Sequence, residues 1–157
     1  MVTKREPDSG TPPLFQGLQS WHGFLLRKAG QRFTEQAEQA LTHLNITLRQ
    51  FGVLNVVDSE PGINQRMVGQ TLRIDRTTIV GLVDDLESKN LLERRRGADR
   101  RTFALFLTDR GSLCLRDAGD LMVKVHESFL QPLSAAERDV LRELMQRLAV
   151  AEETPGL

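Results

Sequence analysis

The chain is short of the residues on which most enzymes and most secreted proteins depend. It has a single cysteine, Cys114, in 157 residues, so neither an internal disulfide nor a paired-thiol metal site can be built, and a reducing, cytoplasmic setting is expected. Tyrosine is absent and histidine occurs only as His22, His43 and His126. With no glycine-rich phosphate loop and no His-Glu-x-x-His pattern, no catalytic activity, cofactor or metal is expected. No segment approaches the ~18 apolar residues that would span a bilayer, and the opening stretch lacks the apolar core of a signal peptide. Net charge is missing as well, because 21 basic and 21 acidic residues cancel. What is present, 39% apolar and 27% charged residues, is the composition of a folded domain.

Residues 1–13 place Pro12 and Pro13 among charged and small residues and read as a flexible lead-in; 151–157 read as a flexible tail. From Leu14 the pattern turns helical. Leu14, Leu18, Trp21 and Leu25 share one face, with Phe15, His22, Leu26, Ala29 and Phe33 beside it, which predicts one long helix to about Leu44. Thr47-x-x-Gln50 has capping-box spacing and opens a second helix that stops near Ser59, before the Pro61-Gly62 turn. Asn64 is placed to cap a short helix over 65–72 with Met67, Val68 and Leu72 as its apolar points. Asp75 is placed to cap a fourth, to about Lys89, with Ile79, Leu82, Val83 and Leu86 inside. Asn90 suits the left-handed residue that closes such a helix. Two short arms, Leu92–Arg96 and Thr102–Leu107, then predict a β-hairpin of unfixed register. Thr108 caps a fifth helix along Cys114, Ala118, Leu121, Val125 and Phe129. Ser134-x-x-Glu137 opens a sixth, with Val140, Leu141, Leu144, Met145 and Leu148 expected inside.

Helix, helix, short turn, helix, hairpin is the order of a winged helix-turn-helix, in which the second helix of the pair enters a major groove about 12 Å wide and the hairpin reaches the next groove. The expected fold is therefore mainly α with a small β-hairpin wing. Residues 47–108 form the DNA-binding unit, and the helices of 14–45 and 109–150 flank it. Charge placement supports this where total charge does not. Residues 61–110 hold ten basic and seven acidic groups, so that window carries +3 and the rest −3. Between Arg94 and Arg101 five arginines face one aspartate, a cluster suited to a narrow, negative minor groove. The flanking helices carry more apolar face than a domain this small can cover from within, which calls for a second copy of the chain.

The stretches Leu-Arg-Gln-Phe-Gly-Val-Leu (48–54), Asp-Arg-Thr-Thr-Ile-Val-Gly-Leu-Val-Asp-Asp-Leu-Glu (75–87), Leu-Leu-Glu-Arg-Arg (91–95), Asp-Arg-Arg (99–101) and Leu-Thr-Asp-Arg-Gly (107–111) resemble the multiple-antibiotic-resistance regulator (MarR) family of bacterial winged-helix transcription factors. The resemblance implies a homodimer built from the first and last helices, reading a pseudo-palindromic operator. By carry-over, Arg76, Thr77 and Thr78 begin the recognition helix, and Asn64, Gln65 and Arg66 approach phosphates from the helix before it. Arg94, Arg95 and Arg100 belong to the wing cluster. Asp99 and Arg101 match the family's Asp-x-Arg wing motif, whose arginine enters the minor groove while the aspartate helps hold the wing. Where many members carry a threonine and then a basic or polar residue on the recognition helix, this chain has Val80 and Gly81. Two readings of base recognition stay open there: reliance on the wing and DNA deformation, or a reading edge shifted toward 76–78.

The resemblance further implies a ligand-responsive regulator, a repressor released when a small aromatic or phenolic acid binds between the dimer helices and the winged unit. Trp21 and His22 are the candidate ligand residues, Trp21 by stacking and His22 by hydrogen bonding, with core packing as the plainer role of each. Cys114 reads as a small packed side chain rather than a redox switch. From another class, a winged-helix module for protein–protein contact without DNA readout fits the neutral total charge.

Overall fold

The computed structural model of the chain describes residues 17, 18, 20–96 and 103–150. Its elements run α1 (His22–Leu41), a 3-10 turn (Thr42–Leu44), α2 (Leu48–Ser59), α3 (Gln65–Thr71), α4 (Arg76–Ser88), β1 (Leu92–Arg96), β2 (Phe103–Leu107), α5 (Asp109–Phe129) and α6 (Ala135–Val150). This is the mainly helical, winged architecture that the sequence predicts. The expected flexible segments 1–13 and 151–157 lie outside the described residues, as does the loop 97–102.

Capping chemistry sets most of the boundaries. Thr47 and Gln50 form a reciprocal capping box, the Gln50 amide donating to Thr47 Oγ1 (3.2 Å) and the Thr47 amide to Gln50 Oε1 (2.9 Å). Asn64 Oδ1 accepts from the Met67 amide at 3.0 Å, and Thr108 Oγ1 accepts from the Gly111 amide at 2.9 Å. Ser134 and Glu137 close the box at the start of α6. Each satisfies amides that a helix start leaves without partners. Asn45 and Asn90 take the left-handed conformation, at φ 55° and 56°, where asparagine is tolerated and bulkier residues are strained.

The first helix departs from expectation. The continuous helix expected over 14–44 is interrupted: Gly17, Leu18 and Ser20 form turns, Trp21 supplies no side-chain cap and α1 starts at His22, while Leu14, Phe15 and Gln16 lie outside the described residues. Among the described residues of that stripe Leu18, Trp21, Leu25 and Leu26 are exposed, and periodicity without packing sustains little helix.

One core joins α1, α2, α4, the wing and α5, with Leu41, Leu54, Leu86, Leu92 and Leu105 fully buried. Each such leucine contributes about 1.5–3 kcal/mol by leaving water. Phe33 of α1 meets Phe129 of α5 edge-on, ring centroids 5.4 Å apart. The hairpin is antiparallel, with Leu92 opposite Leu107, Arg94 opposite Leu105 and Arg96 opposite Phe103. It is pinned at its base by the α2–α3 turn: the Gly62 amide donates to the Leu105 carbonyl and the Leu105 amide to the Ile63 carbonyl, both at 2.9 Å. Gly62 sits there at φ 92°, a conformation a side chain would strain.

Two sets of residues expected inside are outside. Met67 is exposed, because α3 turns Val68 and Gly69 inward instead. Val140, Leu144, Met145 and Leu148 of α6 are also exposed, and α6 has no buried residue. Among the described residues no helix is long and apolar enough to cross a membrane.

Candidate nucleic-acid interface

The start of α4 is held by Asp75. Its Oδ1 accepts from the amides of Thr77 and Thr78, each at 3.0 Å, and its Oδ2 accepts from the Thr78 hydroxyl at 2.6 Å. The Thr78 hydroxyl and then the Thr78 amide hold the carboxyl below its ordinary value of 3.8, against a small opposing effect of burial. A depressed folded value means stability that is present above the ordinary pKa and lost as pH falls through the lowered one. Asp75→Asn keeps an acceptor but does not titrate. Below about pH 4, the melting temperature of the native chain should therefore fall more steeply than that of Asp75→Asn, as followed by circular dichroism. Parallel curves would show that the charge adds nothing to the cap.

Beside this helix start lies a groove of about 840 Å³ between α3, α4 and the wing, lined by Asn64, Gln65, Arg66, Arg76, Val80, Arg94 and Phe103 among others. Arg66 and Arg76 are exposed, and among the described residues neither has an acidic partner. Thr77 is exposed too. These three offer free donors at the mouth of a groove that opens toward solvent. The structure thus brings residues from two helices and a strand to one surface, as the recognition of a duplex backbone and base edges requires.

Several expected contact residues are otherwise engaged. The Thr78 hydroxyl donates inward to Asp75. Asn64 caps α3, and Gln65 accepts through Oε1 from Arg94 at 3.1 Å. Arg94, counted with the wing cluster by its sequence, is turned back onto α4, where its guanidinium pairs with Asp84 and Glu87 and its amide donates to Glu87 at 3.3 Å. The cause is strand alternation: Arg94 lies on the side of its buried cross-strand partner Leu105, facing the helices. Arg94 thereby fixes the wing against α4. Arg95 takes the opposite side, pairing with Glu93 and lying 4.4 Å over the Phe106 ring. Asp99, Arg100 and Arg101 lie outside the described residues.

A second network, not read from the sequence, reaches α4 from α2 and the turn before it. Gln50, buried at the start of α2, donates to Asp85. Asp85 pairs with Lys89 at 2.6 Å, and Lys89 donates to the Asn45 carbonyl at 2.8 Å. The Lys89 and Gln50 hydrogen bonds, in that order, hold the Asp85 carboxyl low. The pattern Gln50 to Asp85 spans too many residues for local spacing to reveal it.

Trp21 is 66% exposed and His22 exposed, so core packing within the protomer is not the role of either. Cys114 is half-buried, and burial first, then the charge of Asp117, pushes its thiol up, away from the thiolate form that reacts. Among the described residues no group of histidine, cysteine or carboxylate side chains could hold a metal ion.

The chain is similar to known proteins in a family profile, a curated relative and solved structures. The profile of the MarR family matches residues 44–102. A putative transcriptional regulatory protein for the hcr operon of Thauera aromatica is 34% identical, over 85% of this chain and 82% of the relative. Among solved structures, the transcriptional repressor CouR bound to a 23-mer DNA duplex is 32% identical over 88% of this chain and 99% of that one, with a TM-score of 0.82. CouR from Rhodococcus jostii RHA1 bound to p-coumaroyl-CoA is 29% identical over 87% and 97%, with a TM-score of 0.77.

Proposed function

Because this chain belongs to the MarR family, whose members regulate transcription by binding DNA rather than by catalysis, we propose that it acts as a homodimeric repressor released from a pseudo-palindromic operator by a small aromatic effector. The observation that carries the reading is the groove in which Arg66 and Arg76 stand free beside the start of α4. A protein-contact module without DNA readout is set aside on the same ground, since the relatives regulate transcription.

In this proposal residues 47–108 bind DNA. Arg76 and Thr77 meet base edges, and Arg66 meets phosphate, with Asn64 and Thr78 engaged at the helix starts from which they project and Gln65 bound to Arg94. Asp99, Arg100 and Arg101 belong to the wing on the strength of the sequence motif. Residues 14–45 and 109–150 pair two copies through the exposed stripe of α6 and the start of α1. That pairing would set the half-sites one helical turn, ~34–36 Å, apart. The effector is supported by the p-coumaroyl-CoA of one relative and by the exposed Trp21 beside His22. An effector acts by favouring a dimer whose reading helices no longer match that spacing, because a ligand moves an equilibrium only through its differential affinity for two states.

The test is binding to promoter duplexes across a series of salt concentrations. Affinity should fall linearly on logarithmic axes, and Arg66→Ala should reduce the slope by about 1 while weakening all sequences alike. Trp21, the one tryptophan in the chain, reports on the effector: p-coumaroyl-CoA or p-coumarate should quench its emission and release the duplex. A slope near zero would sink the reading.

A further inference from the structure

We propose that Val80 reads the C5-methyl group of a thymine in the major groove, so that operator choice includes an apolar contact one turn into the recognition helix; this rests on the DNA-binding reading above. Arg76, Val80 and Asp84 follow one another at four-residue spacing and form a single column along α4. Arg76 is free. Asp84, whose carboxylate would repel phosphates, is paired with Arg94. Between them Val80 stands 39% exposed on the groove that also holds Arg66 and Phe103. Valine is a poorer helix former than most residues, and the part of Val80 that stays exposed faces the groove, where an apolar contact from outside the protomer gives it a role.

Gly81 lies beside it. A Cβ built on Gly81 meets nothing within 4 Å, so no packing within the protomer requires glycine there. Its effect is to lower the profile of the helix next to Val80, which lets the backbone come close to a partner surface. This turn thus offers a small apolar projection, flanked by the clear space at Gly81 and by Arg76, which has no acidic partner among the described residues. In a major groove the apolar feature on base edges is the thymine methyl, and an arginine four residues earlier brings the column to phosphate or guanine beside it.

The experiment begins with duplexes retained by the full chain from a random-sequence pool. Each thymine of a retained duplex is then replaced by deoxyuridine, which removes the methyl group and leaves base pairing intact. One position per half-site should lose affinity about four-fold, the worth of one buried methyl group. In Val80→Ala that loss should vanish, while the melting temperature holds or rises because alanine is the better helix former. Duplexes indifferent to uracil at every position, or a uracil penalty that persists in Val80→Ala, overturn the proposal alone. Retention of no duplex even at low salt overturns the DNA-binding reading, and this proposal with it.

Discussion

Gly111→Ala should lower the melting temperature of the chain by roughly 10 °C or prevent folding. An ideal Cβ at Gly111 would lie 1.9 Å from the Leu91 carbonyl oxygen and 2.9 Å from its carbon. These are backbone atoms, so no side chain can swing away. The Leu91 carbonyl also accepts from the Thr108 amide (3.2 Å), and the Leu91 amide closes α4 on the Leu86 carbonyl (2.9 Å). Making room for one methyl group would therefore part the first turn of α5 from the end of α4, at a cost of about 3 kcal/mol or more. For a domain of this size that is ~6–12 °C. Gly119→Ala is the control on the same helix, since its Cβ would meet nothing within 4 Å; it should be neutral or stabilising by up to about 1 kcal/mol. Thermal unfolding at fixed protein concentration checks both. Equal melting temperatures for the two variants would refute the close approach.

Leu144→Glu together with Leu148→Glu should halve the mass seen by light scattering and weaken operator binding by 10² to 10⁴-fold. Val140, Leu144 and Leu148 recur at four-residue spacing on α6, and all three are exposed, Leu148 at 63%. A helix with no buried residue of its own has little reason to persist in water unless a partner covers it. Placing carboxylates on both sides of the proposed two-fold contact opposes that pairing. Without it each half-site is bound separately, and the gain of two to four orders that linked sites provide is lost. The protomer fold should survive, because these side chains touch little within it; far-ultraviolet dichroism should be unchanged. Gln at both positions separates loss of pairing from added negative charge. A variant that stays dimeric would move the interface elsewhere on the chain.

How much of this was legible in the residues themselves follows from how far each interaction reaches. Thr47, Asn64, Asp75, Thr108 and Ser134 announced five helix starts, and each cap was found, because a cap links a side chain to an amide two or three residues away. The motif strings marked the winged unit for the same reason. Periodicity was a weaker guide wherever it needed a partner: it ran the first helix unbroken through Gly17, Leu18 and Ser20, which form turns, and put the stripe of α6 inside, since a repeat of apolar residues says that a face will be covered but not by what.

The amino-acid sequence by itself determined the element order, the caps, the basic bias of 61–110 and the family. Only the tertiary structure decided which charges are free. Arg94, Arg66 and Arg76 are alike as letters, yet Arg94 is turned onto Asp84 and Glu87 by strand register while the other two face the open groove. Only the fold, too, linked Gln50 to Asp85 and brought the Leu91 carbonyl against Gly111. The physical reason is common to all of these: a side chain's availability depends on neighbours supplied by distant parts of the chain, and local spacing carries no information about them.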